Sequence, residues 1–272
     1  KSLQTGLLLI TGLAGYASAR SMEAAWQPYL ALAGSLFLAI SGSTVLNMVV
    51  DQDIDSAMKR TRKRPLPAGR VDVNEAFAIG LAMSSLGVAW AFTLLPIYGL
   101  VVFAGLFFDV GVYTMWLKRK TPWSIIGGGI SGGMPVLAGR ALGIGRIDSI
   151  GLLLTLAVLL WIPTHILTFS IKYADDYKRA GVPVFPNAYG VMVTRWIISL
   201  STVGAVMVML TAAWQIVLPV ATFRVAMLLG GVLILATVAS TLLRSTQLNF
   251  VVYKLASLYM LSSMLLIILG TR

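Results

Sequence analysis

Asn47, Asp51 and Asp55 recur every four residues in the stretch LNMVVDQDIDSAMKRTRKRPLP, which runs from Leu46 to Pro67. On a helix this spacing lines up one amide and two carboxylates along a stripe of about 12 Å. Such hard oxygen ligands suit Mg²⁺, which takes carboxylates together with water and substrate phosphates. Asp53 points to another face and reads as solvated. Arg60 and Arg64 follow the stripe, and a second basic cluster, YTMWLKRK from Tyr113 to Lys120, contains Lys118. Cations beside a metal-bridged phosphate are a usual means of gripping a diphosphate and neutralising it as it leaves. A third cluster, SIKYADDYKRAGVPVFPNAYG from Ser170 to Gly190, supplies Asp175 and Asp176 as the expected second metal-binding wall. The plainer alternatives are a helix-end salt-bridge network for the first stripe, membrane-surface anchoring for each single cation, and a capping role for Asp175.

These clusters need elements to hold them, and composition says what kind. The chain is 58% hydrophobic and 11% charged, with a mean hydropathy of +0.86, which is the balance of a polytopic membrane protein. Windows of about 20 residues, enough to cross about 30 Å of hydrocarbon, give nine expected spans. They cover 3–19, 28–50, 73–94, 96–116, 123–139, 149–171, 191–213, 219–243 and 250–270. The fold expected is therefore an all-α membrane bundle, a single domain over 1–272. Lys1 opens almost directly onto an apolar run with no A-x-A cleavage pattern, so no signal peptide is expected.

The cations sort by side. Lys1, the run from Lys59 to Arg70, the run from Lys118 to Lys120, and Lys172, Lys178, Arg179, Arg195, Arg244 and Lys254 fall on one side of the membrane. Arg20, Arg140, Arg146, Arg224 and Arg272 fall on the other. The positive-inside bias then puts the N-terminus and the three charged clusters in the cytoplasm, in a multi-pass protein of the plasma membrane. The net charge of +11 is explained by this topology, so nucleic acid is not expected as a partner. A secondary transporter with an acidic cation site would carry its charges near the bilayer midplane in broken helices. Here they gather at one interface, and no internal repeat is visible.

Other signals are weaker. The chain has no Cys, so thiol and disulfide chemistry is excluded. His165 is its sole His, late in the sixth span, and an ionisable group inside a membrane is a functional candidate. The alternative is a neutral imidazole bonded to a carbonyl opened by Pro163. Asp109 lies one turn before Tyr113, where it could orient Tyr113, pair with a cation, or remain a protonated acid. Gly127, Gly128, Gly129, Gly132 and Gly133 lack a P-loop Lys and read as close helix packing. The Met and aromatic residues of the last three spans read as lipid-facing or core filler.

The motif NMVVDQDIDSAMKRTRKRPLPAGRV resembles the N-x-x-x-D-x-x-x-D signature of the UbiA-type intramembrane prenyltransferases. Its D-x-D-I-D followed by M-K-R-T-x-x-R-P-L is most similar to the haem O synthase branch. VYTMWLKRKTPWSIIGGGISGGMPVLAG, WIPTHILTFSIKYADDYKRAGVPVFP and, more loosely, KSLQTGLLLITGLAGY match that branch in order. The resemblance covers about residues 1–190; the rest carries only hydropathy.

This resemblance implies nine helices around a central cavity and Mg²⁺-dependent transfer of a farnesyl or longer prenyl group from its diphosphate to haem B. By motif position it implies that Asn47, Asp51, Asp55 and Asp176 bind Mg²⁺ and diphosphate, with Asp175 beside them. Arg60, Arg64 and Lys118 would hold phosphate oxygens, Tyr113 would lie close to the allylic carbon, and His165 would meet the acceptor. Lys172 stands four residues before Asp176, where aromatic-acceptor members carry an Asp, which argues against a benzoate-type acceptor. Two departures fall near the expected acceptor pocket. Ile162-Pro163-Thr164-His165-Ile166 replaces T-P-P-H-F, and Arg140 replaces a common Trp. The alternative acceptor is a 4-hydroxybenzoate-like quinone precursor or another lipid.

Overall fold

The computed structural model describes residues 2–19 and 26–271. The topology argument from Lys1, Arg20 and Arg272 therefore lies outside the described residues. Among the described residues there is no strand. A spanning segment has no water to satisfy its backbone, and a helix satisfies each N–H and C=O internally.

The long helices are α1 (Ser2–Ala17), α2 (Gln27–Val50), α4 (Val73–Leu94), α5 (Pro96–Leu106), α6 (Ser124–Ile144), α7 (Ser149–Lys172), α10 (Val191–Gln215), α11 (Val220–Leu242) and α12 (Thr246–Gly270). Short helices α3 (Gln52–Ala57), α8 (Ala174–Arg179) and α9 (Phe185–Tyr189) lie in the charged connections. α5 continues without a break into a π-helical segment, Phe107–Leu117. Seven helices are long and apolar enough to cross a membrane, counting Pro96–Leu117 as one. α1, with 16 residues, and the glycine-rich α6 fall outside that set, although they occupy two of the expected spans. Leu200, Leu228 and Leu235 project outward and largely uncovered, as a multi-pass membrane protein requires of its lipid-facing surface.

Neighbour packing closes a ring. α2 packs on α4, α4 on α5, α5 on α6, α6 on α7, α7 on α10, α10 on α11, α11 on α12, α12 on α1 and α1 on α2. Two apolar cores share α1 and α6: Ala14 and Val136 belong to one, Tyr16, Leu137 and Ala138 to the other. The α1–α6 contact is backbone to backbone. A Cβ on Gly139 would lie 1.9 Å from the Gly12 carbonyl oxygen, and one on Gly15 would lie 2.0 Å from that of Val136. Glycine permits this approach, as in other small-residue helix pairs.

Three polar caps mark the helix ends. Asp72 accepts from the Asn74 and Glu75 amides, Asp148 from Gly151, and Ser245 from Leu248, satisfying first-turn donors. Asp148 also receives a two-pronged bond from buried Arg140, Nε to Oδ1 at 2.7 Å and Nη2 to Oδ2 at 2.6 Å. Arg140 Nη1 donates to the Ser18 carbonyl at 2.7 Å. Arg140 thus ties α1, α6 and the start of α7 together and does not line the central cavity, so this departure from the family pattern is not at an acceptor pocket.

Candidate active site

A cavity of about 750 Å³ opens inside the helix ring. Asn47, Asp51, Asp55, Arg60, Arg64, Tyr113, Lys118 and His165 all line it, whereas Asp175 and Asp176 do not.

The acidic stripe survives a helix break. α2 ends at Val50, Asp51 adopts φ −92° and ψ 9°, and α3 begins at Gln52. The Asp51 amide still donates to the Asn47 carbonyl at 3.0 Å, and that of Asp55 to the Asp51 carbonyl at 2.8 Å. The four-residue register therefore carries through the bend, and all three side chains stay on the cavity wall. Asp53 faces out, as expected, and Arg119 binds it with two bonds of 2.6 and 2.7 Å. Those bonds hold the exposed Asp53 carboxyl down at about 2.

Each wall carboxylate has a cation. Arg64 Nη1 donates to Asp55 Oδ2 at 2.8 Å, and Lys118 pairs with Asp51 Oδ2. Burial alone would pull the Lys118 pKa down, but Tyr113 and Asp51 beside it outweigh burial and the pKa is raised. Lys118 stays charged, with its Nζ 5.6 Å from the Tyr113 ring centre. Asp51 Oδ1 is buried and, among the described residues, has no hydrogen-bond partner. Buried carboxylate oxygens are rarely left so. Arg60 sits at the exposed rim, its guanidinium 4.9 Å from the Phe169 ring and 5.6 Å from that of Tyr173.

Asn47 is fixed from two sides. Its Nδ2 donates to Asp109 Oδ2 at 2.8 Å, and its Oδ1 accepts from Thr114 Oγ1 at 2.8 Å. Ser43 also bonds to Asp109 Oδ2. In the π-helical segment Thr114 Oγ1 also lies 2.8 Å from the Asp109 carbonyl, so its single proton is shared between that carbonyl and Asn47 Oδ1. Asp109 therefore positions Asn47 rather than Tyr113. π-turns recur at functional sites, but no residue pattern in FFDVGVYTMWL signals this one. Tyr113 lies against Gly128, where a Cβ would come within 3.2 Å of its ring. The α6 glycines are packing positions, as their sequence suggested.

α3 meets the α8–α9 connection through apolar contacts of Ile54 and Met58 with Val182, flanked by Tyr177 and Val184. This brings the two acidic segments side by side. Tyr177 lines the cavity, and burial pushes its hydroxyl pKa up, so it remains a neutral O–H. Asp176 is buried and paired with Arg179, while Asp175 is exposed.

Another stretch of the wall is aromatic. Trp161, His165 and Phe169 on α7, and Tyr173 just after its end, recur at four-residue spacing, so they share one face. The His165 ring stacks between Trp161, with centres 4.9 Å apart, and Tyr253, at 4.7 Å. Its Nδ1 lies 3.1 Å from Ser257 Oγ, not against a carbonyl freed by Pro163. Thr164, at the departure from the family motif, bonds to Thr202 at 2.7 Å and does not line the cavity. Tyr253, Ser257, Met260 and Met264 all line it. The expectation that the last spans hold only filler is thus corrected for α12. The α7 half of this wall was readable as a stripe; the α12 half had no sequence signal.

The wall fits a metal that arrives with its ligand rather than a resident one. Among the described residues no three acidic or His groups gather closely enough to hold an ion. Mg²⁺ commonly uses one or two carboxylates and completes its shell with phosphates and water. Asp51 and Asp55, with the unpartnered Asp51 Oδ1, match that need.

A family model described as the UbiA prenyltransferase family matches residues 8–263. The protoheme IX farnesyltransferase of Archaeoglobus fulgidus is 44% identical over 223 residues, covering 82% of this chain and 78% of that protein. The protoheme IX farnesyltransferase of Pyrobaculum arsenaticum is 43% identical over 241 residues, covering 87% and 82%. Among solved structures, a digeranylgeranylglyceryl phosphate synthase aligns with a TM-score of 0.81 at 20% identity, over 97% of this chain and 92% of that one. A UbiA homologue from Archaeoglobus fulgidus bound to GPP and Mg²⁺ aligns at 0.68 and 15% identity, over 97% and 98%. These two likenesses establish the fold.

Proposed function

Because the chain belongs to the UbiA prenyltransferase family, we propose that it transfers a farnesyl group from its diphosphate to haem B, giving haem O. The name of its relatives at 43–44% identity supports this acceptor. The observation that carries the reading is one cavity with two unlike kinds of lining. Asn47, Asp51, Asp55 and Lys118 line it together with His165 and its aromatic stack. An isoprenoid diphosphate has the same polarity, and an iron porphyrin needs both an apolar slot and an axial ligand.

In this reading Asn47, Asp51 and Asp55 would hold a Mg²⁺ that arrives with the diphosphate, and Asp176, outside the cavity lining in the resting protein, would join from α8 once the substrate is bound. Of the adjacent pair, buried Asp176 suits that role better than exposed Asp175. The ion supplies neutralisation of the leaving charge. Arg60, Arg64 and Lys118 grip phosphate oxygens. The allylic C–O bond breaks with its electron pair leaving on diphosphate. The Tyr113 ring faces the allylic carbon and steadies the developing cation, while the apolar cavity keeps bulk water away. A vinyl group of the acceptor supplies the pair for the new C–C bond, and one water closes the acceptor cation as a hydroxyl, its released proton passing to the departing diphosphate. The chain acts as one domain of nine helices in the plasma membrane, with the N-terminus and the charged clusters towards the cytoplasm.

Purified protein given farnesyl diphosphate, Mg²⁺ and either haem B or 4-hydroxybenzoate tests this by product mass. Farnesylated haem with release of diphosphate is expected. A prenylated benzoate and unchanged haem would overturn the acceptor assignment.

A further inference from the structure

We infer that Ser257 fixes the tautomer of His165, so that its Nε2 lone pair is presented to the cavity as the axial ligand of the acceptor's iron. The inference deepens, and rests on, the haem reading of the same cavity.

A Ser hydroxyl has one proton and can accept through its oxygen. Ser257 Oγ lies 3.1 Å from the Tyr253 carbonyl one turn earlier, which can only accept, and its single proton is assigned there. Towards His165, 3.1 Å away, Ser257 then acts as acceptor, so Nδ1 carries the hydrogen. In a neutral imidazole the other nitrogen, Nε2, holds the lone pair. Among the described residues, none of the hydrogen bonds found uses Nε2, and His165 lines the cavity.

Three further contacts hold the ring in place. Trp161 and Tyr253 stack on its two faces at interplanar angles of 23° and 27°. The Trp161 indole N–H donates to the Ala256 carbonyl, next to Ser257, at 2.8 Å. α7 and α12 are thereby locked in register where the pair meets. A metal-bound His commonly donates its second ring N–H to an oxygen that sets its tautomer and orientation. Here that arrangement exists before any metal is bound. Ser257 is thus a positioning residue, and the site selects an iron porphyrin over its metal-free form.

The test uses the full-length protein in lipid nanodiscs, without prenyl diphosphate, titrated with ferric haem and separately with iron-free protoporphyrin IX. Soret absorbance follows haem ligation, and fluorescence quenching follows the metal-free ligand. Wild-type protein should give a His-ligated Soret shift. Ser257→Ala should weaken haem affinity about tenfold and leave iron-free porphyrin binding unchanged. Ser257→Thr should restore haem affinity, and His165→Ala should abolish the Soret shift. Equal losses for both porphyrins in Ser257→Ala would mark a purely structural role and overturn the inference. So would a wild-type Soret shift that survives His165→Ala. Farnesylation of haem at the wild-type rate by Ser257→Ala and His165→Ala would overturn the ligand role while leaving the proposed reaction standing. A His165-dependent Soret shift without any farnesylated haem would support the ligand role and overturn the reaction. If neither binding nor farnesylation occurs, both fall.

Discussion

Asn47 Nδ2 donates to Asp109 Oδ2 across 2.8 Å, joining the end of α2 to the π-helical segment. With Nδ2 committed to a carboxylate, Asn47 Oδ1 is turned the other way, towards Thr114. The amide's orientation is thus set by two side chains from one segment. Asp109→Ala should lower kcat/KM for the prenyl diphosphate by about 10-fold to 100-fold, as loss of a ligand's supporting partner does elsewhere. Thr114→Val should act in the same direction and more weakly. The double variant should lose less than the product of the two, because both act through Asn47. Diphosphate release at varied substrate concentration checks this; independent, multiplicative losses would refute the shared route.

Lys118 pairs with Asp51 at the wall, and its charge is retained despite burial. Lys118→Met should cost about 10²-fold to 10³-fold in kcat, the usual loss when one electrostatic contact to a developing anion is removed. Arg119→Ala removes an exposed pair with Asp53 and an exposed bond to the Val50 carbonyl and should stay within about twofold, since exposed pairs contribute under about 1 kcal/mol. Single-turnover measurement of farnesyl transfer separates the two.

No resident ion is expected in the resting protein, given the spacing of its acids. EDTA should abolish diphosphate release, and Mg²⁺ should restore it. The thermal midpoint of the protein alone should not move with Mg²⁺, yet it should rise when Mg²⁺ and a farnesyl diphosphate analogue are added together. Tryptophan fluorescence melting distinguishes these cases. A rise with Mg²⁺ alone would show a preformed metal site.

Asp148 predicts an acid-side weakness far from the cavity. Bonds from Arg140 hold its carboxyl below the ordinary carboxylate range. A depressed folded pKa means that the stabilisation is complete above the unfolded value, about 3.9, and is lost as pH falls through the lower folded one. Between pH 7 and pH 5 the pair should therefore contribute a constant amount, and below about pH 4 it should fade. Arg140→Ala should destabilise the fold by about 3 kcal/mol at neutral pH, the lower end for a buried pair that loses one partner. Against wild type, Asp148→Asn should show a shallower loss of thermal midpoint below pH 4, measured by the same fluorescence melting.

The helical class and the acidic stripe were legible in the sequence for a common reason. Asn47, Asp51 and Asp55 lie within nine residues, and apolar runs of fixed length have only one way to satisfy their backbones in lipid. Arg64 and Lys118 were legible as cations, though their particular carboxylate partners were not. Ser257 was invisible, because it lies 92 residues from His165 in a span with ordinary hydropathy. Arg140 looked like an altered acceptor pocket and proved to be a latch on α1, because its helix turns it towards Ser18 and Asp148. The sequence left Asp109 open among three roles, because a helix of ordinary pitch does not show how a π-turn orients its side chains; its bonds to Ser43 and Asn47 are seen only in the structure.

By itself the sequence determined which segments are helices and which clusters carry charge, since local spacing and hydrophobicity decide both. Tertiary structure decided the rest. The closure of α12 onto α7 gave His165 its aromatic stack and Ser257, and the π-turn gave Asn47 its two anchors. Contacts between side chains distant in the chain follow from how helices pack, and short-range pattern holds no record of that.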